Sequence, residues 1–178
     1  RLFSYYGIPN ARFGIEDLTT FSHPGSYDLI LSVDVMEHIE DDLGVFKNFA
    51  LSLKPGGKLL ISTPSDKGGS DVHHEQDNSF IGEHVRDGYS IKDISDKLTA
   101  AGFTNIRARY TYGRPGSLAW KASMKLPVKM LAYTKLSLLV LPFYYLLTMP
   151  FVLLLHFADV RMTHHSGTGL LVSAEKPA

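Results

Sequence analysis

An acid and an imidazole side by side, Glu37-His38, stand one residue beyond the apolar run Tyr27–Val35, and in an open α/β sheet ligands bind beyond such strand ends. Histidine titrates near neutrality, so His38 suits a general base or a group that positions an acceptor. Glu37 can share that work, or the pair can simply shape the turn into the next helix. Asp34 stands near the end of the same run, and Asp17 lies in an acidic turn after the shorter segment Ala11–Ile15. Both are candidates for holding a ligand, and each can equally be a turn residue or a helix-leading carboxylate. His73 and His74 sit in a polar, glycine-bearing stretch and read as solvent-facing loop residues.

The elements that must position these groups follow from periodicity and punctuation. Ala11–Ile15 reads as a short strand and Tyr27–Val35 as a buried parallel one. Asp41 and Asp42 suit a helix start, where carboxylates meet free backbone N–H groups; Leu43, Phe46, Phe49, Ala50 and Leu53 follow at helical spacing. Lys54-Pro55-Gly56-Gly57 ends that helix and turns the chain. Lys58–Thr63 is a further strand, stopped by Pro64, and residues 65–82 form a long loop. Ser90 with Asp93 three residues on resembles a capping box for a helix carrying Ile91, Ile94, Leu98 and Ala101, which Gly102 closes. Strands over Thr104–Tyr112 and Gly169–Ala174 complete the series. Alternation of strand and helix predicts an α/β fold with a mostly parallel sheet.

With 178 residues, 44% hydrophobic and 20% charged, the chain has the composition of one globular domain. Eighteen basic residues balance eighteen acidic ones, which argues against a nucleic-acid partner, since such binding rests on neutralising phosphates. Cysteine is absent, so disulfides, thiol catalysis and thiolate zinc sites are excluded and a reducing, cytoplasmic compartment fits. Leu2–Gly7 looks like the end of a helix.

The succession YDLILSVDVMEHIEDD, LKPGGKLLISTP and EHVRDGYSIKDISDKLTAAGF resembles the carboxy-terminal two-thirds of a class I S-adenosylmethionine-dependent methyltransferase, of the ubiquinone-biosynthesis and small-molecule branch. The resemblance implies a Rossmann-like sheet with an antiparallel last strand. It also implies that the glycine-rich cofactor loop and the first strands belong upstream of Arg1, so that the chain is amino-terminally truncated and inactive alone. S-adenosylmethionine is the implied cofactor. Glu16, Asp17 and Leu18 would lie at the adenosine, and Ser32, Val33, Asp34 and Val35 along the methionine end, leaving Glu37 and His38 as the catalytic candidates. Asp34, Glu37, His38 and His84 also resemble the ligand pattern of metal-dependent RNA 2′-O-methyltransferases, with magnesium or manganese as the suitable ion. Zero net charge speaks against RNA, and the expectation is no metal.

Residues 118–159 depart from the minimal fold and divide the chain into a partial methyltransferase domain (1–117), an insertion (118–159) and a final strand segment (160–178). Lys121, Lys125 and Lys129 recur every four residues beside Trp120, Met124, Leu131 and Tyr133, a pattern that suits a membrane interface. Pro127 interrupts the stripe and implies two short helices. The charge-free run Leu136–Phe157 reaches transmembrane length, but Pro142 and Pro150 break it, and two crossings need about 40 apolar residues. If the flanking strands pair, the run must leave and re-enter on one side, as a monotopic or re-entrant hairpin. A lid over an apolar substrate and a homodimer interface are the alternatives.

The function this supports is methyl transfer from S-adenosylmethionine to a small, lipophilic acceptor, quinone-like or lipid-like. The enzyme would be peripheral or monotopic on the inner face of the membrane. A non-catalytic membrane-tethered interaction module with the same fold is the competing reading.

Overall fold

The computed structural model describes residues 11–68 and 85–178. Four strands, β1 (Tyr27–Val33), β2 (Leu53–Pro64), β3 (Thr104–Thr111) and β4 (Gly169–Glu175), form one sheet in the order β1-β2-β4-β3. β1 and β2 pair in parallel, with Val33 opposite Ser62, and β4 runs antiparallel between β2 and β3. Three strands therefore share a direction and the last in sequence opposes them, as expected of a Rossmann-like mixed sheet. The pairing of β3 with β4, on which the topology of the insertion depended, is present from Thr104–Glu175 to Thr111–Gly169.

Alternation sorts the side chains into two faces. Leu59, Ile61, Leu170, Val172 and Ala174 are buried on one face with Val45, Phe46 and Phe49 of α1 (Asp42–Ser52) and Ile94 and Leu98 of α2 (Ile91–Ala100). On the other face Leu29, Leu31 and Val33 of β1 are exposed, so the described structure covers one face of β1 and not the two that a buried strand was expected to have. Both helices start as their caps dictate: Asp41 accepts from the Gly44 N–H at 3.0 Å and Ser90 from the Asp93 N–H at 3.0 Å. Gly102 ends α2 at φ +95°, a left-handed angle that glycine adopts without a Cβ clash.

Several expectations need correction. Ala11–Ile15 forms no ladder, because no described strand offers it a hydrogen-bonding partner, and Phe13 and Ile15 are exposed. Lys54–Gly57 lies inside β2 rather than between elements; Gly56, at φ +73°, lets the chain bend there while Leu53 already faces Tyr27. Pro127 does not separate two helices. α3 (Arg114–Trp120) continues through a π-helical turn, Lys121–Lys125, into α4 (Leu126–Tyr133). Pro142 and Pro150 likewise lie within one uninterrupted helix, α5 (Ser137–Arg161).

The physical reason is that α5 supplies the partners that the first leg lacks. Across the π turn the Leu126 N–H reaches the Lys121 carbonyl, and Pro127 has no N–H to give, so the carbonyls of Ala122 and Ser123 lose their ordinary helical donors. Tyr144 donates its hydroxyl to the Ala122 carbonyl at 2.6 Å and Tyr145 to that of Ser123 at 2.9 Å. Within α5 the Thr148 hydroxyl donates to the Tyr144 carbonyl at 2.8 Å, an i−4 back-bond separate from the carbonyls that Pro142 and Pro150 free. A proline costs a helix one bond and not its continuity when neighbouring side chains answer the freed carbonyls.

Candidate active site

β1 ends at Val33, and Asp34 follows at φ +50°, an unusual angle for a residue with a side chain. Its N–H donates to the Ser62 carbonyl at 2.9 Å, which ties the exit from β1 to β2. The next residues form a single 3₁₀ turn, Met36–His38. Glu37 is 2% exposed, and its carboxylate accepts from the Thr63 hydroxyl at 3.0 Å. It thus braces the turn against the end of β2, while His38 is exposed. Ser32 is buried, and among the described residues its hydroxyl has no hydrogen-bond partner. Val35 is half-buried, and Val33 and Asp34 are exposed.

The segment 85–89 is held over this turn by a charge network. Asp42 accepts from Arg86 Nη1, from the Tyr89 hydroxyl at 2.7 Å and from Lys97 Nζ at 2.7 Å. Arg86 Nη2 also donates to the Ile39 carbonyl at 2.6 Å, and the Val85 N–H to that of Glu37 at 3.1 Å. Burial and the Asp42 charge push the Tyr89 phenol far above its ordinary pKa, so it stays protonated as a donor. Sequence reasoning missed this network. Its one signal was Asp42 itself, an acid inside an otherwise apolar helical stripe.

The loop 16–18 is built by local bonds. Asp17 Oδ1 accepts from the Thr19 N–H at 2.9 Å and the Thr19 hydroxyl at 2.7 Å, bonds that hold its pKa below the usual carboxylate value. Glu16 pairs with His23 at 2.9 Å, and Leu18 packs against the core. Asn48 of α1, also missed, donates to the carbonyls of Leu18 and Thr19 at 3.0 Å each. An Asn among helical apolar residues gives no sign of its distant partner. His73, His74 and His84 lie outside the described residues. Among the described residues no group of three or more His, Asp or Glu converges as a metal site would require.

A family model for a methyltransferase domain matches residues 7–108, more than half of the chain. The chain belongs to the methyltransferase domain family. Within the family, phosphoethanolamine N-methyltransferase 1 of Zea mays is 34% identical over 97 residues, which cover 54% of this chain and 19% of that protein. A ubiquinone biosynthesis O-methyltransferase of Xanthomonas euvesicatoria is 41% identical over 49 residues, 28% of this chain and 20% of that one. The chain thus spans about a fifth of the length of these curated relatives. Among solved structures, phosphoethanolamine N-methyltransferase 2 of Haemonchus contortus, in complex with S-adenosyl-L-methionine, superimposes with a TM-score of 0.56 at 21% identity. The match covers 91% of this chain and 36% of that one. The [4+2]-cyclase SpnF gives 0.58 at 12% identity, over 99% of this chain and 60% of its own. At these identities the likenesses show the fold.

Proposed function

We propose that the protein transfers the methyl group of S-adenosylmethionine to a small, lipophilic acceptor, quinone-like or lipid-like, at the inner face of a membrane. Family membership over 7–108 is the observation that carries the reaction. The residues at the strand end fit the cofactor in type. Ser32 keeps a buried hydroxyl with no partner among the described residues, and buried polar groups in folded proteins are normally satisfied. Asp17 presents an exposed carboxylate. In this reading Glu16, Asp17 and Leu18 hold the adenosine end, and Ser32, Val33, Asp34 and Val35 line the methionine end. The cofactor, when bound, supplies an electrophilic methyl group.

The chain's own work is then alignment, which alone can remove much of a bimolecular barrier. His38, exposed at the end of β1, takes the acceptor's proton or orients its nucleophilic atom. Glu37, bound to Thr63, keeps the His38 backbone in place. Relatives whose names include phosphoethanolamine and ubiquinone biosynthesis support a small acceptor, and the exposed apolar α5 supports a lipophilic one. Isothermal titration of the amino-terminally completed protein, carrying the expected glycine-rich loop, with S-adenosylmethionine and S-adenosylhomocysteine tests the cofactor. Dissociation constants on the order of micromolar are expected for both, as for small ligands in preformed clefts. Absence of heat with either at about 1 mM, roughly the weak limit of specific binding, would favour a non-catalytic module.

A further inference from the structure

The helices α3 to α5 form a hairpin whose two ends meet. At its root the Thr168 N–H donates to the Tyr112 carbonyl at 3.3 Å, and the Asp159 carboxylate accepts from the N–H groups of Tyr112 at 3.1 Å and Gly116 at 2.9 Å. His164 closes the same clamp, 3.1 Å from Asp159. A Cβ on Gly116 would stand 2.7 Å from that carboxylate, so glycine is what allows α3 to approach α5 this closely.

Charge and apolar surface are segregated along the hairpin. Between Gly113 and Met162 stand six basic residues, Arg114, Lys121, Lys125, Lys129, Lys135 and Arg161, and one acid, the buried Asp159. The hairpin is strongly cationic within a chain of no net charge. α5 buries only a narrow seam, including Leu141 and Val152, and 11% of its most apolar stretch is buried. Leu139, Phe143, Leu146, Leu147, Phe151 and Leu154 are among the exposed residues. At about 100° per residue the exposed positions from Leu138 to Val160 sweep more than half of the circumference. A second copy or a substrate would cover one stripe of that surface, whereas a lipid phase covers all of it.

Length permits an upright hairpin, since 25 residues of helix reach about 37 Å against a hydrocarbon core of about 30 Å. Charge opposes it. With both ends tied at one point, standing upright would carry Lys125 and Lys129 into the hydrocarbon, where ionised side chains are costly. Lying flat leaves them among phosphates. The root also holds a cavity of about 390 Å³ lined by Lys67, Arg114, Lys121, Ser117, Ser166 and Thr168, with no carboxylate among the described lining residues. Lys67 has Asp66 at 3.4 Å beside it.

We infer that the hairpin lies in the plane of one leaflet of an anionic membrane and that the root cavity holds a lipid phosphate. This rests on the membrane part of the reading above and not on methyl transfer, which titration with the cofactor tests separately. The experiment is flotation of the intact protein with phosphatidylcholine vesicles, with and without phosphatidylglycerol. It is coupled to labelling of Lys135→Cys, the only cysteine then present, by an impermeant maleimide added outside sealed vesicles. Flotation with the anionic vesicles and labelling from outside are expected. Protection of that cysteine until the vesicles are lysed would overturn the in-plane orientation, and failure to float would overturn the inference altogether. Arg114→Gln with Lys121→Gln should weaken anionic-vesicle binding well beyond Lys129→Gln with Lys135→Gln. The second pair represents diffuse charge, at about fivefold per residue near the surface. Equal losses in the two pairs would overturn the phosphate site.

Discussion

Replacing Asp42 by Asn should uncouple the segment 85–89 from the turn that carries Glu37 and His38. Asp42 is 4% exposed and is the shared acceptor of Arg86, Tyr89 and Lys97. Breaking a buried ion pair leaves the partner charges uncompensated, at a cost of about 3 to 5 kcal/mol. Arg86 and Lys97 keep side-chain exposures of 19% and 27%, so water screens part of the loss. The expected cost is therefore near the lower end, about 3 kcal/mol. For a chain of this size that lowers Tm by about 6 to 12 °C, read by far-UV circular dichroism at pH 7. Burial alone would raise the Asp42 pKa, but hydrogen bonds from Lys97 and Tyr89 and the charges of Arg86 and Lys97 outweigh it and hold it below the ordinary value. An unfolded aspartate protonates near about pH 4. The contribution is then complete above that pH and disappears as pH falls through the lower folded pKa. The gap in Tm between parent and variant should thus shrink in acid. A gap below about 2 °C at pH 7, less than 1 kcal/mol on this scale, or one constant down to about pH 2 would refute the proposed network.

His38→Ala should lower turnover while leaving S-adenosylmethionine affinity unchanged, because a group acting on the acceptor alters rate rather than cofactor binding; steady-state kinetics paired with titration would show it. Asp17→Ala should weaken cofactor binding by about fivefold, the effect of one net hydrogen bond, as measured by the same titration. Tyr144→Phe with Tyr145→Phe should destabilise the hairpin by about 1 kcal/mol for each carbonyl left open. Faster amide exchange near Lys121–Lys125 with unchanged protection in β2 would be its signature.

Much of the sheet and its two core helices was legible, because β-prone apolar segments and caps are written locally. Tyr27–Val33 is a mostly apolar, β-prone run, and Asp41, Ser90 and Gly102 mark helix ends within three or four residues. What was not legible depends on partners distant in sequence. Pro127 reads locally as a break, but Tyr144 and Tyr145 answer the carbonyls of Ala122 and Ser123, 22 residues away. Asp159, the lone acid of the insertion, marked its edge, but only the fold shows it capping Tyr112 and Gly116. At the candidate site, the places of Asp34, Glu37 and His38 at the end of β1 followed from the strand, whereas the inward turn of Glu37 to Thr63 did not. Adjacent residues on a 3₁₀ turn part company, and only packing decides which one meets the core.

Transfer of a radiolabelled methyl group from S-adenosylmethionine, with the amino-terminally completed protein and membrane lipid extract as acceptor source, bears most directly on the proposed activity. Label should enter the organic phase in proportion to protein and be strongly reduced by His38→Ala. No label in the organic phase above a protein-free control would contradict transfer to a lipophilic acceptor. If the aqueous phase also gained no methylated product, methyl transfer itself would be contradicted.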